Sequence, residues 1–175
     1  NSSPARFDMK KLEAINGDKI RALTLDDFLS RALPFLLKDG VISGSADEVA
    51  VVRSALPIIQ ERIARMNEVT AMLKFLFVNE VHFDDESKLK IEEESAQHVV
   101  TQALEALRGL SDWSHEAIEA ALRSALIEKL GLKPRVAFGP ARIAVTGSHI
   151  SPPLFESMEL LGKDRSIARL TAAVH

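Results

Sequence analysis

The sequence predicts an all-α protein made of two packed helical subdomains, residues 1–78 and 79–175. Three observations carry that expectation. Apolar residues recur at the spacing of one helical face through most of the chain. Ser, Thr or Asp stands ahead of these runs and Gly stands behind them, which is the polarity of helix caps. The stretch from Val78 to Asp85 breaks the helical pattern and marks the expected hinge between the subdomains.

Taken in order, Thr24-Leu-Asp-Asp27 predicts a capped start, followed by Leu25, Phe28, Leu29, Ala32 and Leu33 on one face until Asp39-Gly40 stops the helix. Pro34 should bend or split it, because proline removes a backbone donor and crowds the preceding turn. Ser45 or Asp47 begins the next helix, whose stripe is Val49, Val52, Leu56, Ile59, Ile63 and Met66. A further helix from about Asn67 buries Val69, Met72, Leu73 and Leu76, with Phe75 and Phe77 flanking. Beyond the hinge, Val99, Val100, Ala103, Leu104 and Leu107 predict a helix ending near Gly109. Ser114 caps the next, with Trp113 and Ile118 at hydrophobic-staple spacing, and Gly131 ends it. Val136 to Val145 is ambiguous on its residues alone, since β-branched side chains and Gly139-Pro140 favour a strand or irregular segment. Ser151-Pro152 reads as an N-cap followed by an N1 proline, Gly162 as a stop, and Asp164 as the cap of a last helix.

Composition excludes several classes. The 175 residues suffice for a real core in one domain or two small ones. Cysteine is absent, which removes disulfides and thiolate metal sites and fits a cytoplasmic protein. No apolar run approaches the roughly 20 residues of a membrane helix, so no membrane partner is expected. Asn1-Ser2-Ser3 matches a glycosylation acceptor only by accident of composition, and the start on Asn1 instead of Met reads as a fragment.

A net charge of −3 argues against nucleic-acid binding at face value, but the charges are unevenly placed. From Lys129 to Phe155 the charged residues are Lys129, Lys133, Arg135 and Arg142, with no acid among them, and Lys163, Arg165 and Arg169 follow. From Glu80 to Glu105 acids dominate, including Asp84, Asp85, Glu86, Glu92, Glu93 and Glu94. One end can attract RNA while another repels it; the competing reading is that both are solvated helix faces.

Catalytic patterns are missing. His82, His98, His115, His149 and His175 are scattered, with no His-x-x-x-His pair to place two imidazoles on one helical face. Glycines occur singly and form no phosphate-cradling loop. The acidic runs lack any sign of the burial that would make acid/base or metal groups of them. No catalytic, cofactor or metal site is therefore expected on this chain.

Against that background, two stretches resemble a known family. Pro140-Ala-Arg-Ile-Ala-Val-Thr-Gly147 and Ser151-Pro-Pro-Leu-Phe-Glu-Ser-Met-Glu-Leu-Leu-Gly-Lys-Asp-Arg-Ser-Ile-Ala-Arg-Leu170 resemble the C-terminal signature of bacterial glutamyl-tRNA synthetases. Phe7-Asp-Met-Lys-Lys-Leu12, with Asn16-Gly17 and Ile20-Arg21, resembles the stem-contact segment that follows the catalytic domain of the same enzymes. The resemblance implies a helical anticodon-binding bundle or cage, and makes Val136 to Val145 helical. It also implies a part of a synthetase with no active site of its own, since neither a His-Ile-Gly-His-like motif nor a Lys-Met-Ser-Lys-Ser-like loop is present. ATP and Mg would belong to the parent catalytic domain. The implied partners are that domain and a glutamate-specific tRNA, with glutamine-specific tRNA left open, and the implied state is a monomer. The alternative is a helical protein–protein interaction module.

Within the resemblance, Arg62 at the end of Leu56-Pro-Ile-Ile-Gln-Glu-Arg62 takes the role of reading the first anticodon base. Pro140-Ala141-Arg142 replaces the family's Pro-Leu-Arg, which assigns Arg142 to the second or third base, with Ser151 and Leu154 helping to enclose those bases. Arginine suits such work because its flat guanidinium stacks and offers donors in a fixed fork. Lys133 and Arg135 would meet phosphates; Lys10, Lys11, Asn16, Lys19 and Arg21 would position the tRNA backbone. The family commonly has aromatics where Ala14 and Lys19 stand here. Each assignment has a plainer competitor: Arg62 as a solvated helix charge near Glu61 and Glu68, Arg142 as an ion-pair partner, Ser151 as a cap, Leu154 as core.

Overall fold

The computed structural model describes residues 8–174, so Phe7, the Asn1-Ser2-Ser3 match and His175 lie outside the described residues. The all-α expectation holds, and no strand occurs among the described residues. Helices α1 (Met9–Arg21), α2 (Leu25–Lys38), α3 (Ala46–Gln60) and α4 (Glu68–Leu73) form a first unit. A short 3-10 turn (Lys74–Leu76) opens the second, followed by α5 (Asp85–Glu92), α6 (Glu94–Arg108), α7 (His115–Leu122), a π-helical stretch (Arg123–Lys129), α8 (Pro134–Thr146), α9 (Leu154–Leu161) and α10 (Lys163–Ala172).

In the first unit α2, α3 and α4 pack on one another around Phe28, Leu36, Val52, Leu56, Ile59 and Leu73, all fully buried. Burying each large side chain of this kind contributes about 1.5–3 kcal/mol. Thr24 caps α2 by accepting from the Asp27 amide. Of the expected bend or split at Pro34, the split does not occur and the helix runs on: Ser30 and Pro34 are exposed, so water can serve the Ser30 carbonyl that loses its partner. Ser45 and Glu48 form a capping box on α3. The Glu48 carboxylate also accepts from the backbone amides of Ser43 and Gly44 and from the Ser43 hydroxyl, which hold its pKa down to about 2.

The end of α3 is fastened to α1. The Gln60 side-chain amide donates to the carbonyls of Ile20 at 2.9 Å and Leu23 at 3.0 Å, the Asn16 amide donates to the Ala64 carbonyl, and Arg65 pairs with Glu13 at 3.6 Å. Thus the segment 60–65 and the C-terminal half of α1 form one assembly.

In the second unit α6 is central and packs against α5, α7, α8 and α10. Its buried face is the predicted one, with Val100, Ala103 and Leu107 fully enclosed. Helix α5 was not expected; only Leu89 and Ile91 are large apolar residues in it, Leu89 is exposed, and its start depends on Asp84 accepting from the Ser87 amide. The unit divides from the first after Leu73, ahead of the boundary expected at 78. Residues 74–78 are bound to α10 instead, as described below. Val136 to Val145 is helical, as the resemblance implies, and α8 closes on Gly147 with φ +82°. A Cβ there would stand 2.5 Å from Val81 Cγ1 and 2.8 Å from the His82 carbonyl oxygen, so this turn requires glycine. Neither Ser151 nor Asp164 caps a helix: α9 follows Pro153, α10 follows Gly162, and Asp164 lies inside the first turn of α10. The Ser151 hydroxyl is engaged elsewhere, accepting from Arg142 and donating to the Pro152 carbonyl. Among the described residues no helix is long and apolar enough to cross a membrane.

Candidate nucleic-acid interface

Helix α8 presents Arg135 and Arg142 seven positions apart, two turns of an α-helix, which aligns them on one face. Both line a cleft of about 540 Å³ whose other wall is the α5–α6 junction, with Lys90, Glu93 and Ser95. That volume falls within the roughly 300–1,000 Å³ of small-ligand sites. The cleft is floored by Ala96, Val99 and Ile143 and edged by Phe138. Phe138 is itself held edge-on by Phe155, with ring centroids 5.2 Å apart, and covered by the Arg123 guanidinium at 5.7 Å.

Arg142 is half-buried, and its Nη1 donates to Ser151 Oγ at 3.2 Å and to the Pro152 carbonyl at 2.8 Å. Ser151, 7% exposed, therefore fixes the plane of the arginine that the resemblance assigns to base reading. Leu154 begins α9 and is core, 2% exposed. Lys133 and Arg135 stand in solvent at the start of α8, and their side chains pair with none of the described residues. The structure thus brings Lys133, Arg135, Arg142 and Ser151 together around α8.

The other predicted residues belong to the first unit. Arg62 is not on a helix: α3 ends at Gln60, and Arg62 occupies the following turn, its amide bonded to the Ile59 carbonyl at 2.9 Å. Its side chain is exposed without a described partner, while Glu68, which the sequence placed near it, binds Arg65 and the Ala64 amide. Those amide and guanidinium bonds lower the Glu68 pKa against the burial that raises it. Lys10, Lys11 and Lys19 are exposed on α1, and Arg21 is paired with Asp18. Asn16 donates its side-chain amide to the Ala64 carbonyl.

The C-terminal cations of the basic stretch are turned inward. Lys163 Nζ donates to the Leu110 carbonyl at 2.6 Å, and Arg165 to the carbonyls of Leu76 and Val78 at 2.9 and 2.8 Å. Arg169, 6% exposed, donates to the carbonyls of Val145, Phe75 and Val78 at 2.7–2.8 Å. Burial, with the Arg165 charge nearby, lowers the Arg169 pKa to about 10, which leaves it a cation at neutral pH. Sequence spacing concealed this; the signal available was that Ser166, Arg169 and Leu170 share the α10 face that is buried.

Among the described residues, His115 belongs to a cluster that spacing could not reveal, because its third member is on another helix. His115 Nδ1 lies 3.0 Å from Glu159 and Nε2 lies 3.2 Å from Glu116. The Glu159 hydrogen bond raises the His115 pKa, with Glu116 adding to it. With both ring nitrogens facing carboxylates, the arrangement is that of an imidazolium between two acids.

A family model described as an anticodon binding domain matches residues 27–174. The chain is 49% identical over 178 residues to the glutamate–tRNA ligase of Nocardioides sp., a match covering 99% of this chain and 36% of that protein. It is 46% identical over 175 residues to the glutamate–tRNA ligase of Saccharopolyspora erythraea, covering 98% and 35%. A solved structure of a glutamate tRNA ligase from Elizabethkingia meningosepticum shares the fold with a TM-score of 0.73 at 21% identity, over 99% of this chain and 33% of that one. The chain spans about a third of the length of these curated relatives, and the matched part is C-terminal in them.

Proposed function

This chain belongs to the anticodon-binding domain family, and we propose that it is the tRNA-binding portion of a cytoplasmic, monomeric glutamate–tRNA ligase. In this reading it grips the anticodon of a glutamate-specific tRNA and leaves the acceptor end to a catalytic domain of the parent enzyme. Binding energy gathered remotely accelerates the reacting centre by fixing orientation. Activation of glutamate with ATP and Mg belongs to that catalytic domain.

The observation that carries the reading is the α8 face. It joins two exposed cations, Lys133 and Arg135, to a cleft walled by an arginine already held in one plane by Ser151 and Pro152. An anticodon loop needs both: charge for its phosphates and a preset donor plane for unstacked bases. Lys10, Lys11 and Arg21 on α1 are assigned to the tRNA backbone, and Arg62 to the first anticodon base. Titrating this chain with tRNA at two salt concentrations tests the reading. Neutralising Lys133 and Arg135 together should weaken all anticodon variants alike and flatten the salt dependence by roughly one unit of slope per lost phosphate contact. An unchanged slope would move the RNA surface away from α8.

A further inference from the structure

The cleft beside α8 has a second wall that the resemblance does not use. Glu93 lies at the α5–α6 junction and is the one carboxylate among the residues lining the cleft. It occupies the N-cap position of α6, yet its side chain makes no capping bond, and its carboxylate has no partner among the described residues. Lys90 on that wall binds Glu86 at 2.6 Å, and His149, which also lines the cleft, faces the same Glu86 at 3.8 Å. A carboxylate facing an RNA-binding cleft repels phosphate, so general attraction is no reason for it. Hydrogen-bond acceptance is, because an ionised carboxylate only accepts.

We propose that Glu93 is a specificity-determining residue that selects cytosine over uracil at one anticodon position, accepting from the exocyclic amine of a base held between the α5–α6 junction and the α8 arginine face. This deepens the reading above and rests on it. Cytosine presents an amine donor beside two acceptors along one edge, so a carboxylate on one wall and a guanidinium on the other match it in order. Uracil has a carbonyl oxygen where cytosine has the amine, and that oxygen would face the carboxylate lone pairs. The apolar floor of Ala96, Val99 and Ile143 accommodates the ring and strengthens the polar contacts by excluding water.

The test titrates this chain and its Glu93→Gln variant with anticodon stem–loop RNAs in which each anticodon base in turn is cytosine or uracil. Glu93 is exposed, and circular dichroism checks that the variant keeps the fold. The wild-type chain should prefer cytosine at one position, and Glu93→Gln should narrow that preference by about tenfold while leaving the other positions unchanged. Gln suits the purpose because its amide can also donate to the uracil oxygen. If the substitution strengthens every RNA alike, Glu93 acts only through its charge and the proposal is overturned; an unchanged preference overturns it equally. Binding with no base preference overturns the proposal alone, whereas a wild-type chain that binds no stem–loop overturns the RNA-binding reading with it.

Discussion

On α8, Lys133 and Arg135 stand in solvent and Arg142 reaches one hydroxyl and one carbonyl at the edge of a cleft. On α10 of the same unit, Lys163, Arg165 and Arg169 all end on backbone carbonyls, and Arg169 is enclosed. The two helices contribute the same kinds of cation to the sequence but different amounts of usable charge. A guanidinium turned inward onto backbone carbonyls offers little to a phosphate, whereas one standing in solvent, as Arg135 does, is available to it. The sign of a stretch is therefore a poor guide to RNA binding until the carbonyls around it are counted.

The comparison is tested most severely at Arg169. Arg169→Met should cost roughly 3 kcal/mol, since the buried carbonyls of Val145 and Phe75 lose a charged donor at once and the Val78 carbonyl keeps only Arg165; a denaturant melt reads this directly. RNA affinity per folded molecule should stay unchanged. A large loss of affinity with little loss of stability would erase the distinction between the two helices.

Arg142→Ala should act the other way round. It should remove about 1–3 kcal/mol of discrimination at the second or third anticodon base, read as the ratio of affinities for single-base variants, with a smaller effect on melting. Equal losses for every anticodon would make Arg142 a general electrostatic contact, like Lys133 and Arg135.

A third, smaller effect concerns a charge pair that is neither enclosed nor at the cleft. His115 has a folded-state pKa above its ordinary 6.5, so its contribution to stability is complete below that value and is lost as pH rises through the raised one. His115→Gln should flatten the dependence of melting temperature on pH in that window. Because the pair is solvent-exposed, the change should be much smaller than that at Arg169. A slope that survives the substitution would assign the titration to another group.

Much of the fold could be read where a local rule sufficed. Thr24 and Ser45 cap helices because a short polar side chain ahead of an apolar stripe has few other uses, and Gly131 turns with positive φ as its position suggests. Reading failed where a neighbour distant in sequence decided the outcome. Ser151 looks like a cap, but its hydroxyl accepts from Arg142 and donates to the Pro152 carbonyl. Helix α5 carries too weak a stripe to be noticed, because Ser87 and Ile91 supply its buried face. At the candidate site, the alignment of Arg135 with Arg142 follows from helical periodicity. Glu93 across the cleft does not, because it is brought there only by the packing of α6 on α8.

The construction of α8 has a consequence for its own stability. Its N-terminus has no side-chain cap and no acid in the first turn, and it places Lys133 and Arg135 at the positive end of the helix dipole. Gly139 and Pro140 weaken its middle, while Arg169 satisfies the Val145 carbonyl at its negative end. The helix is thus anchored at its C-terminal end and electrostatically frustrated at the other. An anion arriving at Lys133 and Arg135 would relieve that frustration by about 0.3–1 kcal/mol for each favourable charge placed there. Ligand binding and helix stability are coupled through the same residues, so the first turn of α8 is the part of the second unit whose fraying an RNA would most suppress.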